Sequence, residues 1–273
     1  MRAPIHIYMP LGVNPGADTL SLWLRGDDEL TGDLTTLAWG SRASAGASGS
    51  ASFTHWNTDE VTQPGTSLDG TVSVHFPATT ASLCAAENYH TTYLGCGDDV
   101  GANYTAAYVV QPLSSNAHNV DGGGAYTNSN PTLLNDSGGY GGPIISSDGG
   151  TAKFGAFHWD SAVGFTGSYA TAPVTWPGGF GTWGLLWYVY TLSGTSMKMR
   201  VKTVGNAAVE STQTLNALKY AAASASPALL GGTGGLTARI VEVMIWPAQA
   251  LSGAQISARE QGYFKSRYPT LGL

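Results

Sequence analysis

Apolar and polar residues alternate along several short segments of the chain, which is the pattern of strands with one buried face. In SLWLRG (residues 21–26), Leu22 and Leu24 share one face and Trp23 occupies the other. YTAAYVVQ (residues 104–111) is more continuously apolar, which predicts a strand buried on both sides. Four more strands are predicted in VSVHF, AKFGAFHW, WGLLWYVYTL and MKMRVKTV, at residues 72–76, 152–159, 183–192 and 197–204.

The end of the chain combines a long strand with the one convincing helix pattern. Residues 237–246 are rich in apolar and β-branched residues, and Pro247 is expected to end this strand. Ser252 and Gln255 have the spacing of a capping box at a helix start, and Pro269 is expected to end the helix. An apolar stripe at helical spacing follows at Ile256, Tyr263 and Phe264. Solvated positions are expected for Arg259, Glu260, Lys265 and Arg267.

Turn signals separate these elements and predict how the strands connect. The tetrapeptide SGTS precedes Met197 and indicates a hairpin, and Gly205-Asn206 indicates a tight turn because both residue types tolerate positive φ. The segment between Pro112 and Pro143 is dominated by Ser, Asn, Asp and Gly, which predicts a long surface loop suited to binding. These features predict an all-β antiparallel sandwich with one short C-terminal helix. We expect an extended arm over residues 1–18 and one domain over residues 19–273.

Composition narrows the function classes. Only 11% of the 273 residues are charged, 37 are glycine, and the net charge is −6. Lys and Arg form no cluster, so the sequence argues against a nucleic-acid partner. The N-terminus lacks the apolar core of a signal peptide, and no apolar run is long enough to span a bilayer. We therefore expect synthesis in the cytosol and no membrane insertion.

No set of residues in the sequence matches a known catalytic pattern. Retaining glycoside hydrolysis needs two facing carboxylates about 5 Å apart, and Glu242 stands alone in an apolar strand. We expect Glu242 to hold a loop or neighbouring backbone by hydrogen bonding. The six histidines lack metal-ligand spacing, and there is no nucleophile elbow. Residues 179–184 match G-x-G-x-x-G, but a strand pattern follows where a dinucleotide site needs a helix. The sequence predicts a protein that is not an enzyme.

Five segments together resemble the concanavalin A-like, laminin-G-type jelly-roll domain. They are SLWLRGDDEL, VSVHFPA, YTAAYVVQP, ALLGG and LTARIVEVMIWPAQALSGAQISAREQGYFKSRY. The motif positions of the last segment are Glu242, Ala250, Leu251, Ser252, Tyr263 and Tyr268. The resemblance implies a sandwich of two curved sheets and binding of a glycan or a protein. Such domains occur in bacteriophage structural proteins and in secreted bacterial proteins.

The resemblance also implies that calcium is possible at the sandwich edge, although no other cofactor is expected. Candidates for its oxygen ligands are Asp98, Asp99, Asp121 and Asp136. Ordinary turn capping by Asp explains the same residues. Cys84 and Cys96 are the only cysteines, and the sequence leaves open whether they are reduced or form a disulfide.

Two functions follow from these observations. The first is a non-enzymatic bacteriophage virion-surface protein, either a capsid decoration or minor capsid protein or a tail or fibre component. Its partners would be other virion proteins or copies of itself. The alternative is a carbohydrate-binding lectin module for adhesion to surface glycans, located on the virion or outside the cell. A glycoside hydrolase is the third and less favoured function. Candidate glycan-binding residues are Trp159, Asp160, Trp176, Tyr140 and Tyr126. Two further loop aromatics, Phe180 and Trp183, either stack on sugars or plug the open ends of the sandwich.

Overall fold

A computed structural model describes most of the predicted strands and the whole C-terminal segment. The described residues are 20–27, 30–32, 37–41, 52–55, 67–77, 83–88, 103–115, 133–136, 141–148, 151–158, 174–191, 196–214, 227–230 and 236–273. The predicted N-terminal arm lies outside these ranges.

Within these described ranges, eighteen strands form four antiparallel sheets. The first nine strands are β1 (Leu22–Arg25), β2 (Leu30–Thr31), β3 (Ala38–Gly40), β4 (Ser52–His55), β5 (Ser67–Leu68), β6 (Thr71–Val72), β7 (Val74–Phe76), β8 (Leu83–Asn88) and β9 (Tyr104–Ser115). The others are β10 (Leu134–Asp136), β11 (Gly141–Asp148), β12 (Thr151–His158), β13 (Val174–Thr175), β14 (Gly184–Thr191), β15 (Ser196–Thr203), β16 (Val209–Thr214), β17 (Pro227–Leu230) and β18 (Leu236–Pro247).

The largest sheet has seven strands in the order β1-β18-β9-β14-β15-β16, with β7 also paired to β18. A six-stranded sheet has the order β10-β17-β8-β4-β3-β2. Smaller sheets contain β11-β12-β13 and β5-β6. One apolar core joins residues of the seven-stranded sheet to Trp39, Phe53 and Leu83 of the six-stranded sheet. The predicted antiparallel sandwich is confirmed.

Much of the seven-stranded sheet is buried on both faces. Along β14, Leu186 and Tyr188 enter the core between the sheets, which we call the inner core. The alternate residues Leu185 and Trp187 enter a second cluster on the opposite, outer face. The same division separates Leu22 and Leu24 from Trp23 on β1, as predicted. Continuous apolar runs such as YTAAYVVQ are therefore explained by burial on both faces.

The C-terminal helix covers part of this outer face. It is α-helical over Gly253–Arg259, π-helical over Glu260–Phe264 and α-helical again over Lys265–Arg267, and a 3₁₀ turn follows at Pro269–Leu271. The predicted capping box is present: the Ser252 Oγ accepts from the backbone N–H of Gln255, and the side-chain Oε1 of Gln255 accepts from the backbone N–H of Ser252. The predicted apolar stripe, Ile256, Tyr263 and Phe264, is buried.

Two predicted solvated positions on the helix are wrong. Glu260 is only 3% exposed because its carboxylate accepts two hydrogen bonds from Arg200, at 2.8 and 2.9 Å. The side chain of Arg267 is 10% exposed and pairs with Asp27. The π-helical turn brings Glu260, Tyr263 and Phe264 toward the sheet together. A one-residue widening of the helix thus places a charged residue on its buried side.

The predicted long loop between Pro112 and Pro143 is partly wrong. Strand β9 continues through Pro112 to Ser115, and β10 and the start of β11 also lie inside this segment. Pro112 is tolerated because the register with β18 shifts beside it, between Thr237 and Ala238, and proline is compatible with such irregularities. The turn at Gly205 has the predicted positive φ, at 75°.

In the described part of the chain, no helix is long and apolar enough to cross a membrane.

Candidate binding surface on the outer face

A line of five side chains crosses the outer face of the seven-stranded sheet beyond the helix. His75 on β7 lies opposite Arg239 on β18, and Arg239 lies opposite Gln111 on β9. Trp183 immediately precedes the Gly184–Val110 pair, so it continues the line beside Gln111. The backbone N–H of Val204 donates to the carbonyl of Trp183 at 3.0 Å, so Val204 lies beside Trp183 and is the fifth and last member of the line. We call these five residues the outer row.

The neighbours of the row decide which face it occupies. Val74, Ile240 and Val110 flank its members along their strands, and all three lie in the inner core. Trp183 and Val204 pack against the apolar cluster beneath the helix. The row therefore faces outward, and each member is partly exposed. Since neighbouring strands lie about 4.8 Å apart, five members in register span roughly 19 Å.

Hydrogen bonds fix the polar centre of the row. Arg239 donates from Nη1 to Oε1 of Gln111 at 2.9 Å, and Gln111 donates from Nε2 to the carbonyl of Gly181 at 2.5 Å. The Nε of Arg239 is buried and has no hydrogen-bond partner among the described residues. Burial, and then the charge of Arg239, lower the pKa of His75 below its usual range. Arg239 supplies the positive charge of the row through its guanidinium group.

The loop before β14 supports the row from one end. The N–H of Gly181 donates to the carbonyl of Pro112 at 2.7 Å, and the Thr182 hydroxyl donates to the carbonyl of Gly178 at 2.9 Å. Gly178, Gly179 and Gly181 all have positive φ, which favours glycine. Strand β14 follows directly, so the G-x-G-x-x-G match at residues 179–184 lacks the helix of a dinucleotide site.

Trp176 is a core residue, so its prediction as a glycan-binding residue is wrong. The side chain has 0% exposure, packs edge-on against Phe154 with ring centroids 6.2 Å apart, and donates from Nε1 to the Thr182 carbonyl at 3.1 Å. No face of the indole reaches solvent. Phe180 packs against the same inner core, as expected for an aromatic that plugs the end of the sandwich. Of the loop aromatics with described side chains, Trp183 is the one on the outer face.

Glu242 lies under the C-terminal helix beside the row. Its carboxylate is 1% exposed and accepts hydrogen bonds from Trp23 Nε1 at 2.7 Å, Tyr263 OH at 2.5 Å and Tyr268 OH at 2.6 Å. Hydrogen bonding by Glu242 was predicted, but its partners are aromatic side chains, not a loop or backbone. These donors lie on β1 and in the C-terminal helical segment, so the carboxylate on β18 connects three separate parts of the chain.

A β-bulge sets the direction of Glu242. In the pairing of β18 with β9, Ile240 faces Val110 and Glu242 faces Val109, so Val241 is the extra residue. Val241 packs in the outer cluster, and the carboxylate of Glu242 also points to that side. Two consecutive side chains therefore point toward the helix, which regular alternation forbids.

Ion pairs surround this buried carboxylate. Asp27 accepts from Arg25 at 3.0 Å and also pairs with Arg267. Burial raises the pKa of Glu242, and this effect outweighs the three donors and the positive charge of Arg25. Burial also acts to raise the pKa of Asp27, but the hydrogen bonds and charges of Arg25 and Arg267 together outweigh it, so the pKa is lowered. The cluster joins the helix to the sheet and leaves no open face on Glu242.

A second ionic cluster attaches the helix to the far edge of the sheet. Glu210 on β16 pairs with Lys198 and Arg200 on β15, each at 2.8 Å. Arg200 also binds Glu260 of the helix through two hydrogen bonds. The hydrogen bond from Lys198 is the main reason that the pKa of Glu210 is lowered, although burial opposes it. Two cations and two carboxylates balance, so this cluster has no net charge.

Most of the remaining predicted site residues fall outside the described ranges. These are Trp159, Asp160, Tyr140 and Tyr126 for a glycan, and Asp98, Asp99 and Asp121 for calcium. Asp136 lies on β10 and Cys84 on β8, whereas Cys96 is outside the described residues. Among the residues that the structure describes, no group of three or more His, Cys, Asp or Glu side chains is arranged to hold a metal ion. Calcium binding and the state of the cysteines stay predictions.

Comparison with solved structures identifies the fold. A mutant of HCR/D matches with a TM-score of 0.52 at 10% identity, over 91% of this chain and 52% of that one. The chain has the concanavalin A-like jelly-roll fold. At this identity the similarity concerns the jelly roll alone. No protein-family model and no curated protein sequence matches the chain.

Two other matches are more distant. The botulinum neurotoxin type G receptor-binding domain has a TM-score of 0.46 at 11% identity, over 88% of this chain and 50% of that chain. Lectin II from Ulex europaeus has a TM-score of 0.37 at 9% identity, over 83% and 95% of the two chains. The chain spans about half the length of the HCR/D and neurotoxin structures that it matches.

Proposed function

We propose that this jelly roll is a non-enzymatic carbohydrate-binding module and that its ligand lies along the outer row. The observation that carries the proposal is the register that places Trp183, Gln111 and Arg239 side by side on one exposed face. A sugar ring has apolar faces that pack on an indole, and its hydroxyls pair with amide and guanidinium groups. The fold hosts many functions, so the proposal rests on this surface.

The row is also held rigid, which favours binding. Gln111 is bonded on both sides, to Arg239 and to the Gly181 carbonyl. Trp183 is anchored against the outer apolar cluster while part of its surface remains exposed. Side chains held in place before binding lose little conformational entropy when a ligand arrives. Gln111 and Arg239 lie on strands, which position such groups more accurately than loops do.

The contacts of three glutamates support a role without catalysis. Glu242 is sealed beneath the helix, and Glu210 and Glu260 are both bound to Arg200. Hydrogen bonds lower the pKa of Glu210, whereas a general acid in glycoside hydrolysis needs a raised pKa. We therefore propose binding without turnover. A fluorogenic glycoside that this protein hydrolyses above the buffer rate would contradict that part.

Truncation of Trp183 tests the binding surface. We expect Trp183→Ala to lower saccharide affinity at least about tenfold, or ~1.4 kcal/mol, because the stacking surface is lost. Binding is measured on a glycan array and then by titration calorimetry with the best hit. Phe180→Ala is the matched control, since this aromatic lies in the same loop but packs against the inner core. Equal losses in both variants, or a parent protein that binds no saccharide, would refute the proposal.

A place on a bacteriophage surface stays a prediction from the sequence resemblance. In that setting the partners would be other virion proteins or copies of this chain, and the outer row would contact host glycans. Extracellular adhesion is the alternative setting for the same surface. Mass spectrometry of purified particles from the host phage tests the location, and absence of the protein from the particles would exclude it.

A further inference from the structure

The guanidinium of Arg239 has no carboxylate partner in the described part of the chain. The five carboxylates whose side-chain contacts are described have other partners. Asp27 pairs with Arg25 and Arg267, and Glu210 and Glu260 pair with Arg200. Glu242 is bonded to Trp23, Tyr263 and Tyr268, and Asp69 is bonded to Thr270. Arg239 is instead bonded to a neutral amide.

This arrangement leaves an uncompensated positive charge on a binding surface. Arg239 is only partly exposed, and its Nε is buried without a hydrogen-bond partner among the described residues. A charge removed from water is unfavourable unless a counter-charge and hydrogen bonds replace the lost hydration. A guanidinium offers donors in a planar fork that matches a carboxylate. An anionic ligand would therefore supply the counter-charge and the hydrogen-bond acceptors that Arg239 lacks.

A second cation lies beside the other end of the row. Lys202 precedes Val204 by two residues on β15, and its ammonium donates to the carbonyls of Thr203 and Asn206, at 3.3 and 2.5 Å. These acceptors are neutral carbonyls, so they leave the positive charge of Lys202 in place. Arg239 on β18 and Lys202 on β15 therefore lie on either side of Trp183 along the row.

We propose that the ligand is a carboxylated saccharide, with its carboxylate on Arg239 and a sugar ring on Trp183. This inference rests on the proposed function and specifies its ligand class. Arg239 and Trp183 are separated by two strand spacings, about 10 Å, with Gln111 between them. One short oligosaccharide can therefore reach both, while its hydroxyls meet the Gln111 amide. Burial and the neighbouring guanidinium lower the pKa of His75, which favours the uncharged form of this ring.

Matched polymers test the charge requirement. Polygalacturonate is compared with its methyl ester, and hyaluronan with carboxyl-reduced hyaluronan, by calorimetric titration of the full chain. We expect at least one acidic polymer to bind about tenfold or more tightly than its neutral counterpart, with an affinity that falls as salt rises. Equal affinity for both members of each pair, or binding to neutral saccharides only, overturns this inference and keeps the proposed function. No binding to any saccharide overturns both.

Substitutions within the row locate the contact. Arg239→Gln should weaken binding of the acidic polymer about 10- to 100-fold, and Arg239→Lys should restore part of it because the charge but not the fork returns. Gln111→Glu places a carboxylate at the position that already accepts a hydrogen bond from Arg239, so the folded variant should also lose affinity for the acidic polymer. Lys265→Gln removes one exposed positive charge from the helix and should leave affinity within twofold. Acidic binding that survives both Arg239→Gln and Gln111→Glu in folded protein would overturn the assignment.

Discussion

Replacement of Glu242 by alanine is expected to destabilise the protein more than any exposed substitution. The change leaves three buried donors without an acceptor, on Trp23, Tyr263 and Tyr268, which now lie 2.5 to 2.7 Å from the carboxylate. An orphaned buried donor costs about 1–3 kcal/mol, so three cost roughly 3–6 kcal/mol when partial relaxation is included. Domains of this kind have a total stability of about 5–15 kcal/mol. Glu242→Ala therefore removes a large share of it.

Urea unfolding followed by tryptophan fluorescence and circular dichroism measures this loss. Glu210→Ala is the control, because the Glu210 side chain is 41% exposed and its ion pairs should contribute less than about 1 kcal/mol. Glu242→Gln should be milder than alanine at about 1–2 kcal/mol, since its carbonyl keeps the two donors that share Oε1. The hydroxyl of Tyr268 can then rotate to accept from the new amide. A loss below about 1 kcal/mol for Glu242→Ala would refute the reasoning.

The pH dependence of the Glu242 contribution has a definite sign. Burial raises the pKa of Glu242 in the folded protein, so the folded state holds this proton more tightly than the unfolded chain does. Its favourable contribution is complete below the unfolded pKa and is lost as pH rises through the folded pKa. The stability of the parent relative to Glu242→Gln should therefore fall with rising pH and then level off. The opposite slope would show that the three donors outweigh burial.

Two further substitutions test other contacts of the same region. Gly26→Ala should destabilise the protein by more than about 2 kcal/mol in a thermal melt, because the new Cβ would lie 1.6 Å from the carbonyl oxygen of Val72. Gly253→Ala is the control: a Cβ at this position meets nothing within 4 Å, so the substitution should be neutral or slightly stabilising. Two arginines lower the pKa of Asp27 against the effect of burial, so its contribution to the free energy of unfolding is lost as pH falls through its pKa in the folded protein. Asp27→Asn should therefore reduce the fall in stability at acidic pH. A parent and an Asp27→Asn variant with parallel acid limbs would contradict this second expectation.

The strands and the helix were predictable because their signals are local. The predicted strand 237–246 is observed as Leu236–Pro247, and the capping box at Ser252 is present with both of its hydrogen bonds. Trp23 was assigned to the opposite face from its neighbours by alternation alone, and the two apolar clusters confirm it. Periodicity and capping depend on residues a few positions apart, so one sequence contains them.

The outer row and the surroundings of Glu242 were not predictable in this way. The row joins residues 75, 111, 183, 204 and 239, which become neighbours only when the strand register is known. The bulge at Val241 adds one residue to an apolar run in which nothing marks the extra position. Trp183 carried a local signal, since it was one of several loop aromatics. Trp176 carried the same signal and is buried, because pairing decides which aromatic reaches solvent.

The order of strands in the seven-stranded sheet has a consequence for synthesis on the ribosome. Strand β18 lies between β1 and β9, so two strands made much earlier meet their shared neighbour only after residue 247 has been added. Until then, one edge of β9 lacks its partner, and unpaired strand edges promote association between chains. A ribosome that stalls before this strand therefore leaves a nascent chain with an unpaired edge that can associate with other chains, and synthesis of β18 covers that edge.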